Sequence, residues 1–564
     1  MKKAYLEKNK SIFILISVWF ILAFFQSIFT ELWEDEAYYY TWATNLDWGY
    51  FDHPPAVAFF IKLGYSIFPN EFGVRFFTIL MGCGFIFLLW EMTDKKKLAL
   101  FSMVIFSILG LQYYTFLALP DMPLLFFSML FFYLYDIYLE KDSLKISMLI
   151  AVTISLMLYS KYTGLLIILL SVMANYKLLF KRKSFFLILL VSIVLFLPHI
   201  IWQYQNNFIT INFHLFERNQ QPYSINFVLG QILIAGPFIT LLLIKNSVKA
   251  KSSDDFTRTL KFNLFGFYLV FFVASLRNEI LPHWTLPILI PLILLTLKNF
   301  PDDIRKYNFV KYIAGVSITL ILLSRLFFIY DFLPDSISEK KYLLQNHLHG
   351  YSEFSKKIQE ISEGEPVVFI DSYIKPSMVK FYSSIFATYY PTVEYRKYQF
   401  CLWDDEEKLQ GKRIMIFGEE KKLQGNFKPI YFPNKKRYNY GFIDNFRSFG
   451  HIEFKQEQQI MLNEDSNIKN VKIAGTLFNN FSYSIDWKNE KPPEAFIFIV
   501  KKGKIIGSEK IVLPNEVVLK AGLSIPFSFT FKLPPDINKL FYEFSIKPKN
   551  LPPGINSKFY KIEF

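Results

Sequence analysis

The chain has 564 residues, 52% of them hydrophobic, with 64 phenylalanines and a formal net charge of +14. That length holds two or three domains, and an apolar excess gathered into long runs over the first three-fifths excludes an ordinary soluble globule. The basic balance does not indicate nucleic acid, because Lys and Arg cluster in short segments between apolar runs and form no groove-reading stripe.

In chain order, the first apolar run is Ser11 to about Thr30. It is too long for a typical signal-peptide core and lacks a small-residue cleavage site, which predicts a retained signal-anchor helix. A spanning helix needs roughly 20 mostly apolar residues. Runs 11–30, 76–93, 98–117, 122–139, 184–200, 226–244 and 309–329 meet that length. The stretch 146–180 is interrupted by Ser160-Lys161-Tyr162-Thr163-Gly164, and 262–297 by Arg277-Asn278-Glu279 and Pro282-His283-Trp284, so each is predicted as two shorter spans. The total is about eleven.

The connectors alternate in kind. Lys95 to Lys97, Lys141 to Lys145, Lys181 to Lys183, Lys245 to Lys261 and Lys298 to Lys311 fall on the side of the Lys-rich N-terminus, as the positive-inside rule requires. The opposite connectors hold Asp35, Glu36, Asp52, His53, Arg75, Asp121, Lys161, His199, Trp202, His214, Arg218, Arg277 and His283. The segment 31–75, with Trp33, Trp42 and Trp48, is too long for a tight loop and predicts short amphipathic helices at the interface.

Residues 1–332 thus read as a membrane domain, and an odd span count puts the remainder on the side of the acidic connectors. From 333 to 445 the pattern suggests a small α/β domain, with helices over 351–362 and 375–383 and strands at Pro366–Asp371 and Arg413–Phe417. From 446 to 564 short alternating strands at 471–477, 481–487, 495–501, 504–512 and 526–533 suggest a β-sandwich. Neither soluble part shows a catalytic constellation. Cys83 and Cys401 form no zinc-ligand spacing and no expected disulfide.

The chemistry concentrates in the acidic connectors. Glu34-Asp35-Glu36 follows the first span, and carboxylates at a membrane boundary must be solvated, paired or metal-bound. Asp52-His53 precedes Pro54-Pro55, which fixes an extended turn. Asp121 sits at the outer end of a span, where it also suits a helix cap. Lys161 lies in a break between spans, placed either to snorkel or to meet a phosphate. Each has a bland reading alone: a wet helix end, a loop turn, a cap, a snorkelling amine. Together they make an acid/base and phosphate-binding set on one face.

Several blocks carry a resemblance. Asp35-Glu36-Ala37-Tyr38-Tyr39-Tyr40, Leu46-Asp47-Trp48-Gly49-Tyr50-Phe51-Asp52-His53-Pro54-Pro55 and Phe72-Gly73-Val74-Arg75 resemble the dolichyl-phosphate-mannose protein mannosyltransferase-like family of GT-C glycosyltransferases, whose bacterial members include the aminoarabinose transferase of lipid A. Leu119-Pro120-Asp121-Met122-Pro123-Leu124 and Ser160-Lys161-Tyr162-Thr163-Gly164 match two further blocks in order, with His199-Ile200-Ile201-Trp202 and Pro282-His283-Trp284 weaker ones. The resemblance spans about residues 10–330.

It implies a GT-C-like fold and transfer of a sugar, with inversion, from a polyprenyl-phosphate donor lipid to an envelope acceptor (lipid A, a glycan or a protein) at the outer face of a bacterial inner membrane. It implies catalytic roles for Asp35, Glu36 and Asp121. Donor-phosphate contacts fall to His53, Arg75, Lys161, Arg277 and His283, and acceptor or metal positioning to Asp52 and Trp202. Relatives place a Lys where this chain has His53, so charge at that spot varies with pH near neutrality. No cofactor is required; a divalent metal on Asp35 and Asp121 is left open. The alternatives are a flippase for lipid-linked glycans, whose family would favour midplane charges and repeated halves, and a scaffold acting through the soluble domains.

Overall fold

The computed structural model describes residues 10–562 except 94, 96, 218–222, 253, 302, 331–347, 424–426, 433–436, 465–467, 489–491, 502–503 and 534–539. It divides into two compact units, Met1–His349 and Gly350–Phe564. The expected boundary at 332/333 and Arg218 lie outside the described residues.

The first unit is helical. In order its main helices are α1 Lys10–Phe29, α2 Glu34–Thr44, α3 Ala56–Ile67, α4 Glu71–Glu91, α5 Leu98–Ser107, α6 Leu109–Tyr114, α7 Asp121–Glu140, α8 Leu144–Ser160, α9 Gly164–Leu179, α10 Lys183–Gln205, α11 Ser224–Ala235, α12 Thr240–Lys249, α13 Asp255–Ser275, a 3-10 turn Pro282–Ile288 running into α14 Leu289–Lys298, and α15 Ile304–Ile329. Six of these (α1, α4, α7, α10, α13 and α15) are long and apolar enough to cross a bilayer, and α11 with α12 makes a seventh bent by 92°. Shorter apolar helices, α3, α5, α8, α9 and the 282–298 segment, fill the rest. The protein is therefore a multi-pass membrane protein.

Two predicted spans are broken rather than straight. Run 98–117 divides at Ile108, whose backbone is extended. Run 226–244 divides at Gly236, which has φ +94° and lies so close to the Ser107 carbonyl that a Cβ would come within 2.4 Å of it. Only glycine satisfies both demands.

α7 is the central helix: 72% of its apolar window is enclosed, against 22% for α10 and α15, whose Phe and Leu side chains face outward into lipid. α7 packs on α4, α8 and the 282–288 turn, and buries Met122, Leu125, Met129 and Phe132. Helix starts are held by side chains: Asn70 caps α4 through the Gly73 N–H, and Asp254 caps α13 through the Thr257 N–H.

The second unit begins with α16 Tyr351–Ile361 and a five-stranded sheet in the order β2-β1-β3-β5-β4. β1 Val367–Phe369 lies parallel to β2 Ala387–Tyr389 and β3 Ile414–Glu419. β5 Arg437–Ile443 and β4 Lys428–Tyr431 extend it antiparallel. α17 Ile374–Tyr382 joins β1 to β2. Strand-rich structure follows: β7 Ile468–Asn479 pairs with β6 Ile452–Glu464 on one side and with β10 Ser524–Lys532 on the other, while β8 Glu494–Lys501 pairs with β9 Lys504–Ile511 and β11 Phe541–Lys547. Phe454, Ile473 and Phe529 from the first of these sheets share one core with Ile497, Tyr542 and Phe544 from the second, as in a sandwich. The sequence reading did not anticipate β6, whose run Gln456-Glu457-Gln458-Gln459 hides the alternation behind a bulge between Gln456 and Gln458.

Candidate active site

The first connector folds as two helices, α2 and α3, joined by residues 45–55. Glu36 forms the capping box of α2, its Oε2 accepting from the Trp33 N–H at 2.9 Å. Arg75 arrives from α4 and pairs with it bidentately, Nε to Oε1 at 2.8 Å and Nη2 to Oε2 at 2.5 Å. The guanidinium also donates to the carbonyls of Ser27, Thr30 and Glu31, and Glu36 Oε1 accepts from the Ala118 N–H. Both side chains are fully enclosed. The pair ties the end of α1, the start of α2, α4 and the connector before α7 into one knot.

Beside that knot lies a second charged set. Asp121 opens α7, and its Oδ1 meets Lys161 Nζ at 2.8 Å, with both side chains nearly buried. Lys161 comes from the break between α8 and α9. Tyr114, at the end of α6, lies within electrostatic reach of both Asp121 and Asp35, carboxylates from different connectors. His283 packs on the same Tyr114 ring, centroids 5.8 Å apart.

A second group adjoins. Tyr38 donates to Asp52 Oδ2 at 3.0 Å. His214 Nε2–H donates to the Asp52 carbonyl at 2.8 Å, and its ring lies 5.8 Å from His53 and 6.3 Å from Trp284. His53 also faces Tyr39. The turn that carries these residues is anchored on α10. Trp202 Nε1 donates to Asp47 Oδ2 at 2.7 Å, and its indole lies where a Cβ on Gly49 would sit, at 2.3 Å. His199 Nδ1–H donates to the Trp48 carbonyl at 2.6 Å, so its Nε2 accepts from the Tyr162 hydroxyl at 2.7 Å. Gln203 and Thr210 continue the chain to the Tyr50 carbonyl.

The fold thus brings Asp121, Lys161 and His283 together near Tyr114, with Asp35 within electrostatic reach, and Asp52 with His53 around Tyr38 and His214. It places Glu36 and Arg75 in the enclosed knot and Trp202 behind the turn. Arg277 is exposed just past α13, its guanidinium without a partner among the described residues. Sequence reasoning missed Tyr38, Tyr114 and Tyr162, which only contact distinguishes from the other 31 tyrosines of the chain's 34. It also missed Arg325 in α15. That residue is 6% exposed; its guanidinium lies over the Phe116 ring and donates to Gln112, and its Nε and Nη1 have no hydrogen-bond partner among the described residues. A buried, unpaired intramembrane charge is a functional signal, but Arg325 had been read as part of an apolar run.

Among the described residues no three His, Cys, Asp or Glu side chains converge as ion ligands. Asp121 is already committed to an ammonium, whose charge stands where a divalent ion would compete. The residues present do not make a metal site, and Lys161 supplies the local positive charge instead.

Residues 52–202 match the family model described as dolichyl-phosphate-mannose-protein mannosyltransferase. No curated protein sequence matches the chain. Among solved structures, the chain is similar to ArnT from Cupriavidus metallidurans in the apo state, with a TM-score of 0.59 and 11% identity over 77% of this chain and 98% of that one. The same protein bound to undecaprenyl phosphate gives 0.57, with the same identity and coverage. The oligosaccharyltransferase AglB from Archaeoglobus fulgidus, in complex with an inhibitory peptide and a dolichol-phosphate, gives 0.44 at 11% identity over 78% of this chain and 74% of that one.

Proposed function

We propose, from the GT-C fold that this multi-pass membrane chain shares with ArnT and from its mannosyltransferase match over 52–202, that it is a glycosyltransferase using a lipid-linked donor. The donor is a polyprenyl-phosphate sugar, and the acceptor is a cell-envelope lipid, glycan or protein at the extracytoplasmic face of a bacterial inner membrane. The observation that carries this reading is the Asp121–Lys161 pair, drawn from two separate connectors, with Asp35 within electrostatic reach of the same Tyr114.

Transfer proceeds with inversion. The acceptor oxygen attacks the anomeric carbon while Asp35 takes its proton as general base. The bond from that carbon to the phosphate oxygen breaks, and its electron pair leaves on the phosphate. Asp121, held by Lys161, orients the acceptor. Positive charge at the departing phosphate comes from Lys161, Arg277 and the unpartnered edge of Arg325, with His53 and His283 as further donors. Glu36, Arg75, Trp202 and Asp52 position the machinery without touching the reacting atoms. The carrier tail lies against the apolar outer faces of the helices.

The test uses purified protein in nanodiscs with an undecaprenyl-phosphate sugar and an envelope extract as acceptor. Asp35→Asn is expected to lower transfer by about 100- to 10,000-fold, the usual worth of a general base, with donor binding retained. Unchanged transfer removes Asp35 from its role. Carrier movement across liposomes without any glycoside formed would replace the enzyme reading with a flippase. Mass analysis of envelope lipids and glycans with and without the protein identifies the sugar and acceptor.

A further inference from the structure

The second unit contains a crevice that the transfer chemistry does not use. In its sheet the parallel strands run in the order β2-β1-β3. From β1 the chain passes through α17 to β2 on one side, then returns to β3 on the other. Such a reversal leaves a crevice at the carboxyl ends of the strands, the place where open α/β sheets bind ligands. A cavity of about 390 Å³ lies there, within the range of small-molecule sites.

One wall is built by Ile370, next after β1, and by Thr392 to Glu394, after β2. The opposite wall comes from the strand-rich part: Phe498, Ile505 and Pro552-Pro553. The two walls are stitched together. The Val393 N–H donates to the Pro553 carbonyl at 3.2 Å, and Thr392 bridges Gly554. The cavity is therefore a built cleft within one compact unit.

Its polar edge is specific. Lys422 Nζ lies 3.2 Å from Glu394 Oε2 and 3.7 Å above the Tyr395 ring. Tyr395 in turn lies within the fields of Asp371, Glu419 and Lys375. Asp371 is 1% exposed and ion-paired to Lys375, yet its Oδ1 accepts no hydrogen bond.

We propose that this crevice binds a saccharide unit, a part of the acceptor glycan in the transfer reading on which this identification rests. Lys422 and Glu394 offset one another at the cavity edge, and Lys421 lines it as well. Adjacent sugar hydroxyls present a donor and an acceptor at a spacing like that of the pair: one hydroxyl donates to Glu394 while the next accepts from Lys422. Phe498, Ile505 and the two prolines offer flat apolar surface to the C–H face of the ring. No bond forms or breaks here.

The probes are methyl α-mannopyranoside and methyl β-glucopyranoside, with glycerol as an acyclic polyol control. Saturation-transfer NMR is run on the full chain in lipid nanodiscs, free of sugar detergents. Ring-proton signals are expected for at least one glycoside at about 10 mM, a weak-binding regime. Ile505→Trp, which fills the cleft from a half-exposed strand position, is expected to lower them about tenfold, and Glu394→Gln with Lys422→Met to do the same without added bulk. Asp35→Asn is expected to leave them unchanged, so failure of the transfer reading and failure of the crevice show separately. The proposal is overturned if neither glycoside gives a signal above glycerol, if the crevice variants keep full signal while unfolding at the wild-type temperature, or if Asp35→Asn abolishes it.

Discussion

At the scale of single residues, the proposed mechanism divides the site into groups that react and groups that hold. Glu36 and Arg75 hold. Removing one partner of a fully buried, hydrogen-bonded ion pair leaves an uncompensated charge, which costs roughly 3 to 5 kcal/mol. Arg75→Met is therefore expected to lower the thermal midpoint of the purified protein sharply, and Glu36→Gln less, because the amide still caps α2. If Arg75 instead served the donor phosphate directly, Arg75→Met would fold normally and lose donor affinity alone. Lys161 reacts to the same logic differently. Lys161→Met removes both the local charge and the partner of Asp121, whereas Lys161→Arg keeps the charge with a different reach. Transfer is expected to fall by about tenfold or more in the first and to recover in part in the second, measured as kcat at saturating donor. Arg325→Met tests the unpartnered guanidinium: a fold retained with raised KM for the donor places it at the phosphate, and an unchanged KM removes it from that role.

At the scale of elements, the turn of the candidate site depends on close packing rather than on local propensity. The indole of Trp202 occupies the space beside Gly49, so Gly49→Ala forces the turn off α10. The expected outcome is reduced transfer with the helical circular dichroism intact. On the Lys-rich face, α13 depends on its cap. Burial works against ionisation of Asp254, but the Thr257 N–H and the Lys298 ammonium outweigh it and hold the carboxyl at about 2, against an ordinary 3.8. A depressed carboxyl stabilises the fold above the unfolded value and ceases to do so as pH falls. The contribution of Asp254 is thus complete above about pH 4 and is lost between there and about 2. Because the group is half-exposed, solvent screening keeps that worth near 1 kcal/mol, the same size as a lost N-cap. Asp254→Ala is expected to lower the thermal midpoint slightly at pH 7 and to abolish that part of the acid dependence.

At the scale of the whole molecule, the two units have separate cores, the helical one around α7 and the others within Gly350–Phe564. A fragment of residues 350–564 is expected to be soluble and to unfold cooperatively, with a strand-rich far-ultraviolet spectrum. Aggregation of that fragment would mean that its cores need the membrane unit.

The same scales separate what could be read in the chain from what could not. Apolar length, Lys-rich connectors and the blocks around Asp35, Asp52, Asp121 and Lys161 determined a multi-pass membrane protein with a GT-C-like fold, because membrane thickness and local motifs act on neighbouring residues. The breaks at Ile108 and Gly236 were not legible, since they answer to helices far along the chain. Nor was the division of labour among the charges. Arg75 and Lys161 look alike as cations beside acids, and only their surroundings distinguish a sealed clasp from a reactive pair. The tertiary structure decided that, because the cost of burying a charge depends on every group packed around it, and those groups come from segments that only folding brings together.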